Sequence, residues 1–574
     1  MCRICHLSSR SGEGGSELIL LGCHCKGELG FAHCHCAEAW FMVKGNRCCE
    51  ICGANAENIT IVIDSRVLEE GHARRELNTQ NPHDNGERIV CWKSPTHLLP
   101  PSPPTLPVIG NLHQLSGSLP HRILQELSAK YGPVMLLHLG SVPTVIVSSP
   151  PAAEEVLKSR DVAFASRPHT TVTHRLFFGN QDLIFGKYGK QWRQLRRIAT
   201  VHLLSHTRVL SFRPARQAEV ALLVADIRSA AAASRPVNVS DVIIEFTSNF
   251  ICRVALGRTY SEEKGEGSKV NKLFDEITAL LVAFPLRDYI PWLGWIDRLN
   301  GFDYKVKKVA LEFDTFIEQV IQEHINMRNR NERTHNNEDL VDILLSLGDV
   351  DSSVSLSQEN IKGLIFDMFG GGTDTTFATI EWVMTELIRH PNAMRRVQEE
   401  IRGVVGAEAK EEIIGEEKLE EMKYLRAVIM EALRLHPIVP LLLPREASVD
   451  TQLQGYHIPK GTRVLVNAWA LGRDPKLWDK ADEFSPERFL NTCAFDFKGK
   501  DFRYLPFGAG RRGCPGIGMA EVTLELVLAT LLLHFDWELP DGMRAEELDA
   551  DEGHAIVIHR KSKLVLVAKP CRRH

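Results

Sequence analysis

The sequence predicts a mainly α fold with a small β region, preceded by a small metal-stapled module, and three observations carry that prediction. Long stretches of helical pattern run through Val220 to Ala233, Lys269 to Phe284, Tyr304 to Asn329 and Ser355 to Pro391. Beside them stands a β-hairpin, Val134-Met-Leu-Leu-His-Leu and Thr144-Val-Ile-Val flanking Gly140-Ser-Val-Pro143. Nine of the fourteen cysteines fall in the first 52 residues. With no signal peptide ahead of them, such thiols point to metal in a reducing compartment rather than to disulfides.

The 574 residues suffice for a large core, and 44% hydrophobic with 25% charged residues reads as globular. A net charge of −5 leaves no basic surplus to neutralise phosphates, so no nucleic-acid partner is expected. No apolar run reaches the roughly 18 residues of a spanning helix. The most apolar stretch, Leu524 to Phe535, begins beside Glu521 and Glu525 and reads as a core helix.

In the first 55 residues the spacing is Cys2-x2-Cys5, Cys23-x-Cys25, His33-x2-Cys36 and Cys49-x2-Cys52. Four pairs of ligands supply two closed, tetrahedral and therefore structural Zn2+ sites. Cys34 and Cys48 are bystander thiols beside these ligands. The pattern resembles the RING-CH finger of membrane-associated ubiquitin ligases. A PHD finger has a shorter gap before its histidine and a Trp where this chain has Arg47. The resemblance implies interleaving: Cys2, Cys5, His33 and Cys36 on one ion, and Cys23, Cys25, Cys49 and Cys52 on the other. It also implies a ubiquitin-conjugating enzyme as a partner; the alternative is a zinc-stapled module without ligase activity. So small a segment needs metal to fold.

Residues 56 to 98 start with Ile59-Thr-Ile-Val-Ile63, a strand, and continue as a polar linker containing Asn-Pro and Asn-Gly. The stiff Leu99-Pro-Pro-Ser-Pro-Pro-Thr-Leu-Pro107 opens a large domain over residues 99 to 574. After the hairpin, Pro151 to Arg160 reads as a short helix with Pro in its first turn. Trp192 and Arg196, four apart, share one helix face. In the stretch from Ser355 to Pro391, Ser355 with Gln358 is expected to form a capping box and Pro391 to mark the stop. Gly370, Gly371 and Gly372 interrupt that helix at about 1 kcal/mol each relative to Ala, which suggests a local opening or the close approach of a ligand. Thr373-Asp374-Thr375-Thr376 follows, and an acid beside an alcohol relays protons. Glu431 and Arg434 pair at i and i+3, with Arg488 of Pro486-Glu-Arg488 available to the same carboxylate.

The stretch Phe507-Gly-Ala-Gly-Arg-Arg-Gly-Cys514-Pro-Gly516 places one cysteine in a glycine-rich loop, where backbone N–H groups can approach the sulfur. Arg511 and Arg512 are expected to lower the pKa of its thiol. Phe507, Gly510, Arg512, Cys514 and Gly516 match F-x-x-G-x-R-x-C-x-G, and on this motif the chain from about residue 99 to 570 resembles cytochrome P450, of the plant microsomal, multi-substrate A-type.

That resemblance implies a mainly α fold with a small β region and haem b, whose iron Cys514 ligates as thiolate. It implies that Phe507, Gly510 and Gly516 cradle the cofactor and that Trp192, Arg196, Arg445 and Arg512 meet its carboxylates. It makes Asp374 and Thr375 the proton-delivery pair. Glu431, Arg434 and Arg488 become a structural brace. Ile438, Val439 and Pro440 fall where the family lines its pocket, and Phe284 and Leu280 are looser candidates for substrate contact. The implied reaction is insertion of one oxygen atom of O2 into a small lipophilic substrate. Electrons come from NADPH through a separate NADPH-cytochrome P450 reductase, in keeping with the lack of a dinucleotide-binding glycine fingerprint. Where the family's membrane helix is expected, this chain carries the zinc finger and linker. Placement is thus peripheral on the cytosolic face of the endoplasmic reticulum, or cytoplasmic. Two alternatives stand beside this reading. In one the finger is an active ligase and the remainder a targeting or vestigial module. In the other two unrelated genes have been joined, naturally or in a faulty gene model.

Overall fold

The computed structural model describes residues 99–571, apart from residues 118, 260–265, 331–337, 351–355, 407–412 and 491–494, and, nearer the N-terminus, the strands Leu18–Leu20 and Phe31–His33. The chain divides into two compact units, Met1–Lys93 and Ser94–His574. In the first, β1 (Leu18–Leu20) pairs antiparallel with β2 (Phe31–His33), Leu18 opposite His33. The other zinc ligands, the strand expected at Ile59 to Ile63 and the linker lie outside the described residues.

The second unit is mostly helical. Its main helices are α1 (Pro120–Tyr131), α2 (Lys190–Ile198), α3 (Arg213–Ala232), α4 (Val239–Leu256), α5 (Glu266–Leu281), α6 (Phe302–Asn329), α7 (Leu340–Val350), α8 (Gln358–Arg389), α9 (Pro391–Val405), α10 (Lys423–Leu435) and α11 (Ile517–His534). The hairpin β3 (Val134–Leu139) and β4 (Val142–Val147) turns on two residues, Gly140 and Ser141, so Val142 and Pro143 belong to the strand and not to the turn. A left-handed Gly140 (φ +61°) makes that tight turn possible. Here β5 is Val237–Asn238, β6 Arg445–Glu446, β7 Thr451–Leu453, β8 Tyr456–Ile458, β9 Arg463–Val466, β10 Phe535–Glu538 and β11 Val565–Pro570. One sheet runs β3-β4-β9-β6, with β4 and β9 parallel; a second runs β10-β11-β5, and β7 pairs with β8.

Several boundaries differ from expectation for local reasons. The short helix opens at Pro150 and ends at Ser159 in a wider turn. Helix α3 begins at Arg213, seven residues before Val220. The capping box of α8 is Ser357 with Asn360, not Ser355 with Gln358: Ser357 Oγ accepts from Asn360 N at 3.2 Å and Asn360 Oδ1 from Ser357 N at 3.3 Å. Gln358 instead donates to Glu318 of α6 at 2.7 Å. Helix α4 was not expected, although Asn238 caps it and Gly257 ends it in the left-handed region.

Helices α4, α8, α10 and α11 share one large core that buries Phe250, Trp382, Val428 and Leu528. Helix α11 has the length and mean hydropathy of a membrane span, but 61% of it is packed inside the protein, and Leu526 to Leu532 are buried throughout. It is therefore the core helix expected at Leu524 to Phe535, seven residues longer at its start. Its rigid N-terminus carries the cysteine loop, and α8 crosses the same region.

Candidate active site

The loop from Phe507 to Gly516 is shaped by backbone contacts. Gly508 and Gly510 adopt positive φ (+65° and +69°), and a Cβ on Gly510 would meet the carbonyl oxygen of Leu157, so glycine is required there. Cys514 N–H donates to Phe507 O at 2.9 Å, which folds the loop back on itself. Gly516 N–H then points at Cys514 Sγ, 3.3 Å away. Burial pushes the thiol up, while the Gly516 N–H and the charge of Arg196 pull it down. Arg196 on α2 is thus the cation that acts on the sulfur, and not the neighbouring arginines expected in that role. Arg511 turns outward to Asp161 at 2.9 Å. Arg512 lies 4.0 Å over the Trp192 ring and donates to the carbonyls of Ala165, Leu183 and Gly186.

The guanidiniums of Arg167, Arg196, Arg445 and Arg512 all line a cavity of about 880 Å³ that the loop also lines, and they lie close enough to act on one another's charge. Arg167 and Arg445 are buried. Arg167 holds the carbonyls of Ile184, Leu443 and Pro444 at 2.7–3.0 Å. Arg445 reaches only Phe164 O at 3.5 Å. Burial lowers the Arg445 pKa to about 10, and burial with the charge of Arg445 lowers that of Arg512 to about 9. Buried Asp182 and Asp367 stand nearby. Burial raises Asp182 to about 6, and burial plus the charge of Asp182 raises Asp367. The cluster therefore carries more positive than negative charge and suits a ligand with carboxylates. Trp192 also lines the cavity, but its indole N–H is taken by Leu183 O at 2.9 Å. Arg167, Asp182 and Asp367 were not legible as site residues, because no local motif marks them.

Helix α8 lines the same cavity as the sulfur-bearing loop. Its glycines cause no opening, since the helix is continuous. A Cβ on Gly372 would come within 2.6 Å of Ile251 on α4, so this glycine permits close helix packing; Gly371 faces open space. Thr375 Oγ donates to Gly371 O at 2.6 Å and Thr379 Oγ to Thr375 O at 2.8 Å. Asp374 Oδ1 pairs with His559 Nε2 at 3.1 Å. Ile244, Ile251, Phe366, Ile438 and Val439 make much of the wall apolar. Pro440 is not in that wall; its carbonyl accepts from Trp469 N–H. Phe284 stacks on Tyr289 outside the cavity and Leu280 is buried in the core, while Leu281 lines the cavity in their place.

Beneath the loop, buried Glu431 accepts from Arg434 Nε and Nη2 at 2.8 Å, from Arg488 Nε at 3.0 Å and from Ser485 N–H at 2.8 Å. Arg434 spends its other donors on the carbonyls of Gly472, Ala481 and Glu483. Tyr504 O–H reaches Met430 O at 3.0 Å, which ties the segment just before the loop to α10.

The family profile of cytochrome P450 matches residues 100–567. The chain belongs to the cytochrome P450 family. It is 46% identical over 493 residues to cytochrome P450 736A117 of Prunus mume, covering 84% of this chain and 93% of that one. Cytochrome P450 71A1 of Persea americana is 49% identical over 80% of this chain and 91% of its own. Two solved zebra fish cytochrome P450 structures, with abiraterone and with progesterone, superpose with TM-scores of 0.67 and 0.66 at 28% identity, over 79% of this chain. The mainly helical P450 fold and the haem-dependent monooxygenase class follow for residues 100–567. A RING-variant profile matches residues 2–52, in agreement with the finger-like spacing.

In a P450 the cofactor is a haem iron with a porphyrin that bears two carboxylates. The residues present fit it: Cys514 supplies a sulfur already receiving one N–H, and the guanidiniums of Arg196, Arg445 and Arg512, with Arg167, lack enough carboxylates of their own.

Proposed function

We propose that this P450 is a haem-thiolate monooxygenase that inserts one oxygen atom of O2 into a small lipophilic substrate, with electrons reaching it from NADPH through a separate reductase. The observation that carries this reading is that Cys514 and the Asp374–Thr375 turn of α8 line one and the same, largely apolar cavity. Cys514 would ligate the iron of haem b, and Arg167, Arg196, Arg445 and Arg512 would bind its carboxylates. Bound there, haem supplies reductive scission of O2. Ile244, Ile251, Ile438 and Val439 hold an apolar substrate and exclude water. Asp374 and Thr375 move protons, the hydroxyl exchanging its bond to Gly371 O for one toward the cavity. Thr375→Ala is expected to raise peroxide released per product roughly tenfold while the thiolate-type carbon-monoxide spectrum survives. An unchanged peroxide-to-product ratio counts against the assignment.

For the N-terminal unit we infer a finger over residues 1–55 with two Zn2+ held by Cys2, Cys5, Cys23, Cys25, His33, Cys36, Cys49 and Cys52, a linker over 56–98, and the P450 domain from 99. The RING-variant match favours a second activity, recruitment of a ubiquitin-conjugating enzyme. A ubiquitin-discharge assay tests it independently of the carbon-monoxide spectrum. A peptide spanning the finger and the proline hinge in the isolated protein would exclude a faulty gene model. Chelation is expected to release about two zinc ions per chain and to abolish any discharge. Haem binding should persist after chelation and after deletion of residues 1–55; its loss in either case overturns the independence of the two units. We place the protein peripherally on the cytosolic face of the endoplasmic reticulum or in the cytoplasm, and extraction without detergent tests that placement.

A further inference from the structure

Asp374 has a side-chain partner that the acid–alcohol reading leaves without a function. His559, from the C-terminal segment, meets Asp374 Oδ1 through Nε2 at 3.1 Å. Its ring lies 5.1 Å from the Phe377 ring on the same face of α8. Its backbone is pinned on both sides by α8: Trp382 Nε1 donates to Ile558 O at 2.9 Å, and Arg560 N–H donates to Glu381 Oε2 at 3.2 Å. Gly553 N–H closes the loop onto His559 O at 2.8 Å. Helix α8 thus fixes both the acid and the imidazole, as a proton path requires. The ring also lines the cavity beside Lys561 and Lys563 with its side chain 22% exposed; Nδ1 is buried without a partner among the described residues, so Nε2 is the atom left to exchange protons.

We propose that His559 is the positioning residue of the proton path: it takes protons from water in the cavity and hands them to Asp374, and through Asp374 toward Thr375. This rests on the reading of Asp374 and Thr375 given above. In the step the Nε2–H bond breaks as an O–H bond forms on Asp374. Imidazolium becomes neutral imidazole, carboxylate becomes carboxylic acid, and no electron changes hands. The acid releases that proton on the cavity side, and the freed Nε2 regains one from water in the cavity.

The charges around the ring suit this role. Burial works to lower the His559 pKa, but the hydrogen bond and charge of Asp374, helped by Glu381, more than offset it and hold it above 6.5. The other charges nearby are largely engaged. Arg560 faces Asp549 at 3.6 Å and Lys563 pairs with Asp241 at 2.6 Å. Asp275 on α5 is pushed up by burial and by Asp374. Below its raised pKa His559 carries the proton to be passed on, and as pH rises through that value the donor is lost.

Two measurements on the full-length, haem-loaded protein test the inference. By NMR of ¹³C-labelled histidine, Asp374→Asn should lower the His559 midpoint by about one pH unit. With the reductase and no added substrate, NADPH oxidation should slow as pH rises through the wild-type midpoint. His559→Gln and His559→Phe should lose that pH step and run about tenfold slower below it, with the thiolate-type spectrum retained. An unmoved midpoint in Asp374→Asn, or a wild-type rate and pH step in His559→Gln, overturns the proposal. Loss of the spectrum in both His559 variants makes the residue structural and overturns it as well. Should the wild-type protein lack the thiolate-type spectrum, it is the monooxygenase reading that fails; should Thr375→Ala uncouple while His559→Gln changes nothing, only the relay does.

Discussion

Cys514→His is expected to abolish the thiolate-type carbon-monoxide spectrum completely. The loop presents one sulfur, and the Gly516 N–H at 3.3 Å is placed to receive negative charge there. In the protein without cofactor burial holds the thiol protonated, so coordination must supply the energy that ionises it. An imidazole brings no such charge and is longer than the loop provides for, since Cys514 N–H is tied to Phe507 O and Gly510 is pressed on Leu157. The variant should therefore bind haem weakly and offer its iron a neutral ligand. Retention of the thiolate-type spectrum would remove Cys514 from its assignment.

Glu431→Ala should have the second largest effect, a loss of about 3–5 kcal/mol in the stability of the haem-loaded domain, read as a lower thermal midpoint and loss of haem on dilution. Glu431 is fully buried and takes four donors, so its removal strands charge rather than merely weakening a pair. Arg434, also buried, keeps three carbonyls but no anion. Tyr504, which reaches from the segment before the cysteine loop to Met430 beside Glu431, carries the damage toward the site. Glu431→Gln retains the shape and one acceptor and should fall between wild type and Ala. Equal stability of Glu431→Ala and wild type would show that the network does not brace the loop.

The sequence by itself determined the cysteine loop, the acid–alcohol turn, the helical class and the finger-like spacing of the first 52 residues. Each of these is written in a short run whose meaning depends on near neighbours: a glycine that must take positive φ, a ligand pair two or three positions apart, a periodic face. The tertiary structure alone decided which groups meet. Arg511 and Arg512 adjoin Cys514 in the chain, yet Arg196 from α2 acts on the sulfur, because Arg511 finds Asp161 outside and Arg512 is drawn onto Trp192. Ser357 rather than Ser355 caps α8, since the helix starts where Gln358 reaches α6. Leu281 enters the cavity while Phe284 turns away to Tyr289, because α5 ends at Leu281 and Phe284 lies in the segment beyond it, a boundary that periodicity alone leaves open. Arg167 in the guanidinium cluster and His559 beside Asp374 come from segments far from the motifs they complete. Their placement follows from packing and from the need of a buried charge for a partner, and both are properties of the assembled fold rather than of any local run of residues.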